Sequence, residues 1–475
     1  MLALLATIGV AFASAAFLWF DRDRTYVSKA IWLPFIWLSI ASSRPVSNWL
    51  TFNAPVDVSS QYLDGSPLDR NVLTLLLGLA AVVLIQRSSK LGAILRVNAP
   101  VVLFLSFCLI SLLWADYPLV GFKRWIRAVG DVAMVCIILT EVNPDAAFKR
   151  VMLWMGAFLL PTSILFTRFF PSLGRSYTYA GVPMWTGVAT DKNALGALCM
   201  IVGVAMLSIG LTSYLEPGSW SRKRRIWITG LLFAMALYLL AMIDSKTALA
   251  CFVMASSLVL LRCLPWAFRE QILVTALMMA MIGVSYGVLF LGVGSSALSE
   301  MGRDTTLTGR TEVWEIVIPM AENEWIGAGY ESFWIGERLE RIIQKVGAGL
   351  NQAHNGYIEI YLNIGWVGLA FLAFVILGGY RNIMRNLRRD PEMSGLKLAL
   401  FLICLVYNFT EAAFKIMAPV WIVFLWATMA LPRTRSVARA RNLASRSPIQ
   451  SARKVLVPTD YAMVVKAESA SAARP

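Results

Sequence analysis

The sequence predicts an all-α fold: a polytopic membrane helical bundle of about 12–13 spans, with a large helical loop on one side. Three observations carry this. The 475 residues are 58% hydrophobic and only 15% charged, with a mean hydropathy of +0.65, whereas a soluble chain is about 45–50% apolar and about 25% charged. The apolar residues run on for roughly 17–23 positions at a time, enough for a helix to cross a bilayer and without the alternation of barrel strands. Lys and Arg gather in the short loops of alternate turns, the pattern that orients a polytopic chain.

Taken in order, the apolar runs place spans near 2–20, 30–43, 71–86, 98–114, 125–140, 147–166, 192–214, 226–243, 247–261, 271–293, 356–379, 396–411 and 417–431. The first contains an "ASA" like that of a cleaved leader. It has no basic stretch ahead of it, however, and its charges, "DRDR", follow it, so it reads as a first span. "SRKRR" (221–225) marks the cytoplasmic side. Alternation from there puts "QRSSKLGAILR" (86–96), "FKR" (148–150), "RNIMRNLRR" (381–389) and the C-terminal stretch on that side too. Residues 1–431 are thus one bundle. Residues 432–475, with nine Lys/Arg against two Asp/Glu, read as a disordered basic cytoplasmic tail attracted to anionic lipid.

The opposite, outer side holds 44–70, 167–191, the turn 243–248 and the long loop 294–355. In that loop Val313, Ile316 and Val317, then Phe333, Leu339, Ile342, Ile343 and Val346, recur at helical intervals. Pro319, Gly327 and Gly329 separate the two stretches. The loop is therefore expected to fold as helices over the bundle.

The net charge of +15 is accounted for by the short basic loops and the tail, so no nucleic-acid partner is expected; the bilayer is the partner that composition implies. The six cysteines lie in or at the end of apolar runs with no C-x-x-C pair, and read as small buried hydrophobes. The single histidine, His354, cannot form a zinc site with them. No metal ligand set and no cofactor motif is expected.

What chemistry there is crowds the outer side. Lys123, Arg124, Arg127, Arg168, Arg175, Lys192 and Lys246 sit in or beside outer loops, where the orientation rule should remove them, and Arg303, Arg310, Arg338, Arg341 and Lys345 sit in the long loop. Individually most of these read as ion pairs or snorkelling cations. As a set they suit an anion such as a lipid-linked phosphate or pyrophosphate. In "LTGRTEVW" (307–314) Gly309 allows a tight entry and Thr308 or Thr311 can cap a helix, which puts Arg310 beside an anion-favouring N-terminus; the plainer alternative pairs it with Glu312 or another loop carboxylate. His354 stands before Asn355, a helix cap, and Gly356, which admits a close neighbour. Glu359 follows inside the apolar run, where an ionisable side chain is a functional candidate. Histidine is suited to act as a general base near neutral pH. "ATDKNALGAL" (189–198) brings Lys192 and Asn193 to the same side, "IDSKTALA" (243–250) Asp244 and Lys246, and "YNFTEAAFK" (407–415) Asn408, Glu411 and Lys415. Charges at span mouths favour an enzyme over a transporter, which would carry them deep in many spans.

"LTGRTEVW", "GAGYESFW" and "NQAHNGYIEIYLNIGWVGL", together with the upstream "KNALG" and "SKTALA", resemble the O-antigen ligase and polymerase superfamily of bacterial inner-membrane glycosyltransferases. The chain looks most like the exopolysaccharide polymerases of the rhizobial succinoglycan type. The resemblance covers residues from about 100 to 431. Where the family more often shows S-R, this chain has Lys246; where relatives often show His before "KN", it has Asp191; and Arg175 lies further ahead of "KN" than the ligases' arginine. The resemblance implies a GT-C-like bundle with its active face in the periplasm and an inverting, metal-independent transfer from a glycan on undecaprenyl pyrophosphate to another sugar hydroxyl. It also implies a flippase and a chain-length regulator as partners. On this reading His354 is the base and Arg310 the catalytic cation, with Arg175, Lys192, Lys246, Glu359, Arg124, Arg127, Asn193 and Glu411 binding substrate. Glu359 would orient His354 or bind sugar, and Trp185, Trp314, Trp325, Tyr330 and Trp334 are aromatics available to stack on sugar rings. Ligation of glycan to a lipid A core and translocation of a lipid-linked glycan are the rival functions.

Overall fold

The computed structural model describes residues 1–20, 27–50, 66–177, 181–215, 220–290, 308–346 and 351–432. Within them the regular secondary structure is helical, apart from one two-stranded hairpin. The principal helices are α1 (Leu2–Phe20), α2 (Trp32–Ala41), α3 (Pro67–Gln86), α4 (Ser88–Val97), α5 (Ala99–Ile110), α6 (Pro118–Leu139), α7 (Pro144–Phe169), α8 (Lys192–Leu215), α9 (Trp220–Ile243), α10 (Lys246–Leu261), α11 (Gln271–Phe290), α12 (Thr308–Val317), α13 (Gly336–Val346), α14 (Gly356–Asn386), α15 (Pro391–Tyr407) and α16 (Pro419–Thr428). The hairpin pairs β1 (Arg175–Tyr177) with β2 (Pro183–Trp185). Prolines open α3, α6, α7, α15 and α16, where the missing N–H is one the first turn leaves unpaired in any case. Asn143 and Asp390 cap α7 and α15 by accepting from Ala146 and Met393 N–H groups.

Among the described residues α3, α7, α8, α9, α11 and α14 are long and apolar enough to cross a membrane, and the pair α4 and α5, bent by 88°, would make a seventh crossing. Full-length spans are fewer than the apolar runs suggested, because several runs form helices of 10–17 residues. In α6, Lys123, Arg124, Arg127 and Asp131 dilute the apolar stretch. The basic tail expected at 432–475 lies, but for Pro432, outside the described residues, as does Arg303 of the long loop.

The core centres on α8, α15 and α16, which are buried along most of their length. α9 and α10 pack on α8, and α10 and α16 pack on α15. α3 and α11, by contrast, leave most of their apolar side chains uncovered, as a lipid-facing helix does. Five cysteines are buried, as small hydrophobes are; Cys263, just past the end of α10, is exposed instead.

The described part of the long loop, α12 to α13, has its own apolar cluster, in which Val313, Trp314, Val317, Phe333, Trp334 and Ile342 pack with Ala353 and with Leu362 of α14. The loop also enters the bundle. α14 loses helical geometry at Ile364 and Gly365, the latter at φ +63°. The backbone of 324–328 fits into this break: Trp366 and Val367 donate to the carbonyls of Glu324 and Trp325 at 2.9 and 3.0 Å, and Ala328 N–H donates to the Leu362 carbonyl at 3.1 Å. A Cβ on Gly365 would stand 2.3 Å from the Trp325 carbonyl oxygen, and one on Gly327 would meet the Asn363 backbone at 2.5 Å. Two glycines thus let two main chains touch, and the groups freed by the break find partners.

Candidate functional site

The starts of α8, α10 and α14 and the end of α15 come together at one end of the bundle. Asp191 accepts from the N–H groups of Asn193 and Ala194, both at 2.9 Å, and so starts α8. Asn355 accepts from Tyr357 and Ile358 at 2.9 and 3.1 Å and so starts α14. After α15 the chain folds back over these ends. Gly356 N–H donates to the Asn408 carbonyl at 2.9 Å, Asn355 Nδ2 to the Phe409 carbonyl at 3.2 Å, and Thr410 Oγ1 to Thr247 Oγ1 at 3.0 Å. The approach is close: a Cβ on Gly356 would stand 1.8 Å from Asn408 Oδ1, and one on Gly196 would stand 2.9 Å from that of Ala248. The glycines of "HNGY" and "KNALG" are therefore packing requirements.

Glu411 is where the side chains meet. Its Oε1 accepts from Arg310 Nη2 and from Asn193 Nδ2, each at 2.8 Å. Its Oε2 lies 3.4 Å from His354 Nδ1. Glu411 is only 7% exposed, so these partners, rather than water, offset its charge. Asn193 is itself fixed, by Ser245 Oγ on its Oδ1 at 3.4 Å and by the Tyr407 hydroxyl on its carbonyl at 3.0 Å.

The loop helix α12 supplies the remaining pieces. Arg310 reaches Glu411, while Trp314 donates its indole N–H to the Ala353 carbonyl at 2.7 Å. Residues four apart share a helix face, so the spacing of "GRTEVW" directs the guanidinium at the carboxylate and the indole at the residue before the histidine. Glu359 takes the other side of Ala353, its Oε2 accepting the Ala353 N–H at 3.0 Å and its Oε1 the Asn363 amide at 3.3 Å. Held at both backbone groups, Ala353 presents His354 at φ +48°. Asp244, before Ser245, and Met417, on the returning chain, have φ of 49° and 55°. Such sparsely populated backbone tends to gather at functional sites.

The structure thus brings Arg310, His354, Asn193 and Glu411 together. Among the described residues Arg310 pairs with neither Glu312 nor another long-loop carboxylate but with this one from the bundle. Glu359, expected to orient His354 or bind sugar, is buried and turned to the Ala353 main chain; the carboxylate beside the imidazole is Glu411. Lys192 and Lys246 occupy the first positions of α8 and α10, next to Asn193 and Ser245. Arg175 lies on the hairpin, donating to the Thr167 carbonyl at 3.0 and 3.2 Å with its guanidinium 4.2 Å from the Trp185 ring centre. Arg124 donates to the Glu331 carbonyl at 2.7 Å and pairs with its carboxylate at 3.4 Å, tying α6 to the loop. Arg127 lines a cavity of about 320 Å³ with Ser47, Asp69 and Met417, whose lining includes none of the Glu411 cluster. Arg338 pairs with Asp116 and Glu322 at 3.0 and 2.9 Å, as expected of several loop arginines.

The expectation for the aromatics needs correction. Trp314, Tyr330 and Trp334 are buried in the packing of the loop and cannot receive a sugar, and burial pushes the Tyr330 phenol well above its ordinary range. Trp185 is covered by Arg175; Trp325 is 69% exposed. Two structural anchors, Asp131 and Arg44, were not anticipated, and Asn408, expected only as a polar group at this end, proves to be a third. Asp131, 0% exposed, accepts from Trp37 Nε1 at 2.8 Å and from Met417 N–H at 3.0 Å; its signal was a carboxylate inside an apolar run. Arg44 donates to the carbonyls of Leu173, Gly187 and Ala189 and so shapes the approach to "KNALG". Asn408 Oδ1 accepts from Ala413 and Phe414 at 2.9 and 2.8 Å and turns the chain after α15. Among the described residues no three of His, Cys, Asp and Glu come together as a metal ligand set.

This arrangement can be set beside known proteins. Residues 230–373 match the family model of the O-antigen ligase domain. That stretch of the chain is similar to the O-antigen ligase domain. The match includes Arg310, His354, Glu359 and Lys246, while Glu411, which meets Arg310 and His354, and Asn193, which donates to Glu411, come from outside it. The chain is also similar to the exopolysaccharide production protein ExoQ of Rhizobium meliloti (strain 1021), 24% identical over 307 residues, 61% of this chain and 66% of that protein. The chain therefore spans a little less than two thirds of the length of the curated relative it matches. Both findings support the resemblance drawn from the sequence motifs.

Proposed function

We propose that the chain is an exopolysaccharide polymerase that joins oligosaccharide repeat units carried on undecaprenyl pyrophosphate, at the periplasmic face of the bacterial inner membrane. The observation that carries this reading is the convergence of Arg310 and His354 on Glu411, at the end of the bundle where Lys192 and Lys246 also stand. One reaction needs a cation and a base side by side. An acceptor hydroxyl gives its proton to His354 and its oxygen attacks the anomeric carbon of the donor glycan. The bond from that carbon to the pyrophosphate oxygen breaks, and the electron pair leaves with the lipid pyrophosphate. With Nδ1 toward Glu411, His354 has Nε2 for the incoming proton. Arg310, with Lys192 and Lys246 at helix N-termini, offsets the charge that grows on the leaving group, a contribution that is usually large. Attack opposite the leaving group inverts the anomeric centre, and the scheme assigns no step to a metal or a nucleotide sugar.

The test supplies purified protein with lipid-pyrophosphate-linked repeat units, without nucleotide sugar or divalent metal, and sizes the products. Wild type is expected to lengthen the glycan, with Arg310→Ala slower by about 10²–10³ and His354→Ala by about 10²–10⁴. Normal polymerisation by His354→Ala would place the base elsewhere. The O-antigen ligase family match favours a second reading, in which the same donor chemistry serves a lipid A core acceptor; transfer to that acceptor and no chain growth would select it. Movement of the intact lipid-linked glycan across the bilayer, without transfer, would replace both readings by a transporter.

A further inference from the structure

Glu411 serves two residues to which the proposed reaction gives opposite tasks. Its bonds to Arg310 and Asn193, at 2.8 Å, have the length of a strong charge-assisted pair, whereas its 3.4 Å separation from His354 Nδ1 exceeds an ordinary hydrogen bond. The carboxylate is thus drawn to the guanidinium, and the imidazole is held loosely.

The three partners are not equally fixed. His354 and Glu411 belong to two segments tied to each other by the Gly356–Asn408 and Asn355–Phe409 bonds and anchored further by Ala353–Glu359. Asn193 is fixed by Ser245 and Tyr407. Arg310, the cation of the cluster, reaches in from α12, and its side chain is about a quarter exposed, against a tenth for Glu411 and a third for His354. It is the member of the cluster that an arriving anion can engage.

We propose that Glu411 is a positioning residue that changes partner: a donor pyrophosphate draws Arg310 off Glu411, and the released carboxylate closes on Nδ1 of His354. A buried carboxylate that loses one cation favours another beside it. The exchange therefore readies His354 to take a proton only when the leaving group is in place, and holds the base slack while the site is empty. Asn193 stays on Glu411 throughout and keeps it aimed. This inference rests on the donor reading above and adds to it an order of events.

The test exploits the fact that His354 is the only histidine in the chain. The full-length protein, purified on a tag without histidine and labelled with ¹⁵N-histidine in lipid nanodiscs, gives the ring-nitrogen resonances of one residue. Without ligand, Arg310→Gln is expected to move the Nδ1 resonance to the position of a carboxylate-bonded ring, while Arg310→Gln/Glu411→Gln leaves it at the position of Glu411→Gln alone. Geranyl pyrophosphate, its binding followed separately by intrinsic tryptophan fluorescence, is expected to move wild type the same way and Glu411→Gln not at all. An unchanged Nδ1 resonance in ligand-free Arg310→Gln overturns the exchange, whatever the donor is. So does a wild-type resonance that stays put while the probe binds. Failure of the probe to bind wild type counts instead against the pyrophosphate-donor reading, which the ligand-free comparison does not need. The wild-type arms require no variant to fold.

Discussion

Trp314 holds the carbonyl of Ala353 with its indole N–H at 2.7 Å, so the loop helix that carries Arg310 also fixes the residue before His354. The two halves of the proposed chemistry are positioned by one rigid turn. Trp314→Phe keeps the ring in its apolar cluster and removes only the donor. It is expected to cost about 1–3 kcal/mol of stability, the range for leaving a buried acceptor unmet. Turnover should fall with the KM for donor nearly unchanged, because the Arg310 backbone stays in place. Thermal unfolding in detergent together with steady-state kinetics checks both.

Gly365→Ala addresses the break in α14. Its φ of +63° and the Trp325 carbonyl 2.3 Å from the added Cβ leave the new methyl group nowhere to go. A loss of about 2 kcal/mol or more is expected, from strained backbone with the clash added. Limited proteolysis of 324–328 should increase in the variant; an unchanged digestion pattern and melting temperature would show that the two main chains are not in contact.

Asp131 supports the site from beneath the returning chain. Asp131→Ala strands the indole N–H of Trp37 and the N–H of Met417, at about 1–3 kcal/mol for each buried donor. The variant should lose thermal stability and exchange the amides of 408–418 faster, by hydrogen–deuterium exchange. Asp131→Asn, which keeps one acceptor, should lie between.

Lys192→Ala and Lys246→Ala remove cations that stand at helix starts without bearing on Glu411. Each is expected to raise the KM for lipid-pyrophosphate donor roughly tenfold, about 1.4 kcal/mol, and to leave the KM for acceptor alone. Equal changes in both constants would argue against a role at the pyrophosphate.

The sequence made the helical bundle legible because lipid forces apolar runs to be continuous. It also made the convergence of span mouths legible, since Lys192, Lys246, His354 and Glu411 each stand at the boundary between an apolar run and an outer loop. It did not show which carboxylate Arg310 would choose. Glu411 lies 101 positions away, and local spacing offers Glu312 as readily. Nor could it show the break at Gly365, because a glycine inside an apolar run is often no more than a tolerated helix residue. Trp314, Tyr330 and Trp334 were open to a sugar-binding reading because an aromatic near an interface carries no sign of which way it faces. Their burial depends on how 324–334 folds back onto α14, and that is decided by main-chain contacts rather than by residue type.

The main chain of 324–328, seated in the gap of α14, also bears on how such chains can be altered. An outer loop attached only at its ends is a graft site, and specificity can be moved between relatives by exchanging it. Here the loop supplies hydrogen bonds that a crossing helix lacks, and the helix supplies them in return. A chimera that takes residues 308–346 from one relative and α14 from another joins halves of a single fitted joint, with Gly327 on one half and Gly365 on the other. Recombination within this architecture is productive only where the crossover points lie outside both.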